Sequence, residues 1–234
     1  MNITIMRTLS VKRLLVALVA APLVAFTLLA PSNGARASEA GYRLDRAPID
    51  PNDLVSLQSG VRTFVNYCLN CHGAQYMRYN RLKDLDLSES QIKDNLMFAS
   101  DKIGDTMTVA LSPDQGKAWF GVAPPDLSVI GRSRGANWLY TYLRSFYRDE
   151  STASQWNNRL FPNVAMPHVL WKLQRDQSAV EYDRTVRDLV NFLVYVGEPA
   201  AQQRKAIGVI VLFVLGVLFV LSYAMKHAFW KDVR

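Results

Sequence analysis

A mainly α-helical exported domain with long irregular connections, held to a membrane by one C-terminal helix, is the fold class this chain predicts. Three observations carry it. Apolar residues recur at helical spacing in three separate stretches, whereas strand signals are few and short. The twenty residues from Ala206 to Met225 carry no charge. The N-terminus runs from basic to apolar to small residues, the pattern of an export signal.

In chain order, Arg7, Lys12 and Arg13 precede an apolar run from Leu14 to Ala30, and Ala35-Arg36-Ala37 is a small-residue cleavage site. Residues 1–37 are therefore expected to be a cleaved signal, cut before Ser38. The formal charge of +7 and a pI near 9.5 would suit a nucleic-acid binder. That charge is not in the exported part. The signal holds four basic residues and no acid, and residues 38–205 hold 20 basic against 19 acidic. A nearly neutral domain of this size can bury a core of its own, and nothing in its charge asks for nucleic acid.

Within 38–205, Leu54, Leu57, Val61, Phe64 and Val65 form a helical stripe that starts after Asp53 and runs straight into Cys68. Asn137 stands where an N-cap would open a second helix, with Trp138, Tyr142, Leu143 and Phe146 on its apolar side. A third helix opens at Ser178-Ala179-Val180-Glu181, which has capping-box spacing. It continues through Val186, Leu189, Val190, Leu193 and Val194 and stops at Gly197 and Pro199. A short polar linker leads to the span 206–225, which at about 1.5 Å per residue matches a hydrocarbon core of about 30 Å. Residues 226–234 are a short tail. The stretches between helices are rich in Pro, Gly, Asn and Asp, as expected if a bound group supplies part of the core.

That group is indicated by Cys68-Leu69-Asn70-Cys71-His72. Two thiols three positions apart can form thioethers to the two vinyl groups of a porphyrin, and the next residue, His72, can ligate its iron; the string is the attachment motif of c-type haem. A bare Cys-x-x-Cys also suits a redox dithiol, half a zinc site or a disulfide. No βαβ pattern surrounds it, only two cysteines exist, and no His-x-x-x-His spacing accompanies them. Export to an oxidising compartment favours one covalently attached haem c.

An electron-carrying iron wants a second axial ligand, and methionine is the usual one that raises the potential. Met77 lies only five residues beyond His72, while Met97, Met107 and Met166 remain in contention. Met166 stands in Phe161-Pro162-Asn163-Val164-Ala165-Met166-Pro167, where two prolines keep the backbone extended and out of a helix. His168 is a rival ligand.

With these segments in hand, the chain resembles the cytochrome c1 family, the haem subunit of the ubiquinol to cytochrome c reductase, or bc1 complex. The resemblance spans nearly the whole mature chain. It rests on Tyr67-Cys68-Leu69-Asn70-Cys71-His72-Gly73, Trp119-Phe120-Gly121 with Pro124-Pro125-Asp126-Leu127-Ser128, Met166-Pro167, and Phe192-Leu193 with Glu198-Pro199 and Arg204 before a single span. Their order is more distinctive than any one of them. It implies that Cys68 and Cys71 bind haem c, that His72 and Met166 ligate its iron, and that an arginine, Arg134 or else Arg132, meets a haem propionate. It also implies single-electron transfer from a Rieske iron-sulfur protein to a soluble or membrane-bound cytochrome c, beside cytochrome b and in contact with lipid. The chain departs from the family's common pattern in having His168-Val169 where more proline is usual, and in lacking a second cysteine pair.

The haem domain is accordingly expected in the periplasm, anchored by one pass in a bacterial inner membrane with its C-terminus cytoplasmic. As a subunit of an oxidoreductase it needs no catalytic acid, base or nucleophile of its own. A c-type cytochrome serving another oxidase or reductase, and a non-redox scaffold with a disulfide, are the alternatives. Seven acids between Asp84 and Asp114 against Lys93 and Lys102 suggest a patch that steers a basic acceptor.

Overall fold

The computed structural model describes residues 42–232, so the expected signal over 1–37 and its cleavage site lie outside the described residues. The architecture is mainly α, with long loops and a C-terminal apolar helix, as the sequence predicts. Two helices form its centre. Helix α1, Leu54–Tyr67, opens on Asp53, whose carboxylate accepts the Ser56 N–H at 3.0 Å, and buries Leu57, Val61, Phe64 and Val65. These are four of the five residues of the predicted stripe; Leu54 is partly buried.

Chain order then gives β1 (Ala74–Arg78), a 3₁₀ segment (Tyr79–Leu85), α2 (Glu89–Leu96), β2 (Thr106–Met107) and α3 (Pro113–Phe120). Helices α4 (Ile130–Ser133) and α5 (Ala136–Arg144) follow, then β3 (Phe146–Arg148), β4 (Trp156–Asn158), α6 (Trp171–Asp176), α7 (Ala179–Gly197) and α8 (Ala201–Phe229). The strands make two antiparallel pairs. Ala74 faces Met107 in the first, and Phe146, Tyr147 and Arg148 face Asn158, Asn157 and Trp156 in the second.

Helix α7 has the expected capping box. The Ser178 hydroxyl accepts the Glu181 N–H, and the Glu181 carboxylate accepts the Ser178 N–H at 2.9 Å. It packs along α1, where Phe64 and Phe192 meet with ring centroids 5.5 Å apart. Buried Asp188 accepts the Ser56 hydroxyl at 2.7 Å, and Asn191 donates to the Asp50 carbonyl at 2.7 Å, which ties α7 to the start of α1. Gly60 makes the crossing close. A Cβ there would overlap the Asp188 carbonyl oxygen and sit 2.7 Å from the Phe192 Cβ.

Three expectations change. The second helix opens at Gly135 rather than on an Asn137 cap, because the Asn137 side chain is engaged by the Ala47 N–H at 2.9 Å. Phe146 belongs to β3, since α5 ends at Arg144. The apolar helix extends beyond 206–225 at both ends: α8 has 29 residues, and Gln203–Phe229 is long and apolar enough to cross a membrane. Its apolar side chains, such as Phe213 and Phe219, are exposed.

Candidate haem site

The Cys-x-x-Cys-His string is shaped by the end of α1. The Cys68 N–H still donates to the Phe64 carbonyl at 2.8 Å, and the chain then closes a turn in which the Cys71 and His72 N–H groups both donate to the Cys68 carbonyl, at 3.0 and 2.8 Å. Through this turn Cys68, Cys71 and His72 all line one cavity of about 120 Å³. Its other walls are mostly apolar, from Tyr67, Phe120, Val122, Pro124 and Val169. Cys68 and Cys71 are not joined in a disulfide. Burial, reinforced by neighbouring Cys71, pushes the Cys68 thiol up to about 12, and burial also raises Cys71. Neither resembles the acidic thiol of a redox dithiol.

The His72 ring is oriented by the loop after α3. Its Nδ1 lies 2.7 Å from the Pro125 carbonyl oxygen. A carbonyl only accepts, so Nδ1 carries the proton and Nε2 keeps its lone pair, the form in which imidazole binds a metal. Burial lowers the ring's pKa, against the opposing Pro125 bond and Asp126 charge, which favours this neutral form. The loop is in turn stitched to the residues after the motif. Leu127 N–H donates to the Gly73 carbonyl at 2.8 Å, Gln75 N–H to Asp126 Oδ2 at 2.9 Å, and Tyr76 N–H to the Ser128 hydroxyl at 3.0 Å. The Pro-Pro-Asp-Leu-Ser segment is therefore a brace for the histidine.

A third segment brings Met166, which lines the same cavity with Ala165 and Pro167. Asn163, in a left-handed conformation at φ 61°, turns the chain, and its N–H is held by Asn157 Oδ1 at 2.9 Å. Two thiols, an imidazole with a free nitrogen and a thioether thus meet between apolar walls.

The Cytochrome C1 family model matches residues 45–233. The chain belongs to the cytochrome c1 family. It is 46% identical to the cytochrome c1 of Allochromatium vinosum over 91% of this chain and 98% of that protein. It is also 46% identical to a protein of Nitrosomonas europaea named ammonia monooxygenase gamma subunit, over 96% of this chain and 99% of that one. The cytochrome c1 of Rhodospirillum rubrum is 30% identical over 93% and 97%. As a member of this family, the chain is a membrane-anchored electron-transfer protein of a bc1 complex and carries covalently bound haem c.

The donor set at the cavity suits that haem. The two cysteines can form the thioethers, His72 presents an unprotonated Nε2, Met166 a neutral sulfur, and the walls around them are mostly apolar. The other candidate ligands lie elsewhere. Met77 and Met107 are buried in the β1–β2 region of the core, and Met97 packs against that core after α2. His168 is turned away from the cavity that its neighbours Pro167 and Val169 line. Its ring stacks on Phe146 with centroids 4.9 Å apart, meets Trp156 edge-on, and places Nε2 2.6 Å from Gln174 Oε1.

The two arginines differ. Arg132 lies against Gly197 and is 3.8 Å from Glu198. Arg134 places its guanidinium 4.9 Å from the Trp138 ring centroid, and Trp138 stacks on Tyr142, whose hydroxyl reaches Met166. In the sequence Tyr142 reads only as part of an apolar stripe, and Pro125 and Asp126 belong to a segment that carries the family resemblance without a role of their own. The proline pair was visible, but a backbone carbonyl's partner 53 positions away has no signature in a single sequence.

Proposed function

We propose that Cys68 and Cys71 would hold haem c through thioether bonds and that His72 Nε2 and Met166 Sδ would ligate its iron. The observation that carries this reading is the meeting of these four side chains in one apolar cavity from two segments far apart in sequence. The bound haem supplies a one-electron iron couple. The chain's own residues orient the imidazole through Pro125, exclude water, and keep a neutral thioether, a weak donor that raises the potential, beside the ring. Arg134, whose guanidinium lies over the Trp138 ring, is the arginine assigned to a haem propionate, with Arg132 second.

In the same reading, residues 1–37 are a cleaved export signal and 38–205 a periplasmic haem domain. Residues 206–225 form the membrane-embedded part of α8 in a bacterial inner membrane, and 226–234 lie in the cytoplasm. The domain accepts single electrons from a Rieske iron-sulfur protein and passes them to a soluble or membrane-bound cytochrome c, next to cytochrome b and lipid. Transfer is outer-sphere and uses no catalytic side chain of this subunit.

Purification in detergent tests the assignment. A cytochrome b and a Rieske protein are expected to copurify, with a haem stain on this chain that survives denaturing electrophoresis. The Nitrosomonas europaea relative motivates a second reading, a c-type cytochrome attached to a different membrane oxidase. Copurification of such an enzyme in place of cytochrome b and the Rieske protein would select it.

A further inference from the structure

We propose that Tyr142 is a positioning residue for the iron's methionine ligand, its hydroxyl donating a hydrogen bond to Met166 Sδ. This deepens the reading of Met166 as an axial ligand and rests on it. The Tyr142 oxygen is 3.4 Å from the Met166 sulfur. A thioether sulfur has two lone pairs, so one can face a metal while the other accepts the phenol's proton.

The ring carrying that hydroxyl is clamped. Trp138, one turn earlier on α5, stacks on it with centroids 4.8 Å apart and planes 11° from parallel. Phe146 meets it edge-on at 5.2 Å. The Tyr142 carbonyl accepts the amide of Asn158, a fully buried residue, at 2.8 Å. A side chain fixed on two sides by rings and at its backbone by a buried amide delivers its hydroxyl to one place, and that place is the sulfur. Phenylalanine would fill the same apolar position on α5, so the hydroxyl is surplus to packing, and a buried hydroxyl requires a partner.

The bond has two consequences. It holds Met166 in one orientation, in a loop whose neighbouring residues 161–163 are exposed. It also draws electron density from the sulfur, which disfavours ferric iron relative to ferrous and raises the reduction potential.

The test is a redox titration and ferric absorption spectrum of the detergent-solubilised complex carrying Tyr142→Phe. A neutral hydrogen bond felt by one oxidation state more than the other changes their ratio about fivefold. At about 59 mV per tenfold for one electron this is a fall in potential of about 40 mV. The long-wavelength methionine-to-iron band should persist but shift. An unchanged potential and band in Tyr142→Phe, together with loss of the band in Met166→Leu, would overturn the role of Tyr142 and leave Met166 as ligand. Persistence of the band in Met166→Leu would overturn the ligand assignment and this proposal with it.

Discussion

Replacing Gly60 by alanine is expected to push apart the two helices at the centre of the haem domain. Gly60 is buried on α1 where α7 crosses, and the added methyl would overlap the carbonyl oxygen of Asp188 while lying 2.7 Å from the Phe192 Cβ and 2.8 Å from the Asp188 carbonyl carbon. The obstacles are backbone and the root of a side chain, which cannot rotate away. Helix propensity works in the opposite direction, since alanine is favoured over glycine in a helix interior by about 1 kcal/mol. Forcing a group into a packed core costs about 1–3 kcal/mol, and a clash with backbone belongs at the upper end. The net loss is therefore about 2 kcal/mol, and for a domain of this size the melting temperature falls by about 4–8 °C. Because α1 ends in Cys68, a shift of that helix is passed to Cys71 and His72. Thermal unfolding of the solubilised protein, followed both by helical circular dichroism and by haem absorbance, should show the fall in both signals. Gly104→Ala, where a Cβ meets nothing within 4 Å, is the control and should leave the melt unchanged. A Gly60→Ala protein that melts at or above the native temperature would refute the close-crossing argument.

Three further outcomes follow from particular contacts. Asp126→Ala removes the acceptor for the Gln75 and Ser128 N–H groups and loosens the loop that holds His72. The expected loss is about 1–3 kcal/mol in thermal unfolding, and Asp126→Asn, which keeps one acceptor oxygen, should retain part of it. Ser178→Ala should cost about 1 kcal/mol by removing the cap of α7, read as a melting shift without spectral change at the haem. Hydrogen bonds from Lys83 and then Lys93 hold the Glu89 carboxyl down at about 2 against an ordinary 4.5. A depressed carboxylate contributes stability that is present above the unfolded value and lost as pH falls through the folded one. The stability difference between native protein and Glu89→Gln should accordingly be steady above pH 4.5 and vanish as pH falls toward about 2 in acid-unfolding curves.

The same contacts reduce the acidic patch inferred between Asp84 and Asp114. Arg81 pairs with Asp84 at 2.8 Å, and Lys83 with Glu89 at 2.8 Å, from positions just outside the counted segment. Extending the count back to Arg78 leaves seven acids against five basic residues, a net charge of −2. Among the described residues Asp84 and Glu89 are the acids of this segment held in ion pairs, so steering of a basic acceptor would rest on the other five, Asp86, Asp94, Asp101, Asp105 and Asp114.

Features that depend on near neighbours were legible from sequence. The thiols and imidazole of Cys68 to His72, the stripe of α1, the Ser178 capping box and the long apolar run of α8 are each written in one contiguous stretch of chain. Covalent spacing and helical periodicity act at that range. Asn137 shows where such reasoning fails: a residue with good cap chemistry is drawn instead to the Ala47 N–H, 90 positions away. The tertiary structure brings Met166, the methionine favoured by its sequence context, into the cavity with His72; it alone decided that His168 belongs to an aromatic stack, that Pro125 sets the tautomer of His72, and that Tyr142 reaches Met166. It also decided why position 60 must be glycine. Each of these depends on segments far apart in the chain being brought together by the burial of α1 against α7, and the energy of that packing is shared among many residues, so no single local motif records it.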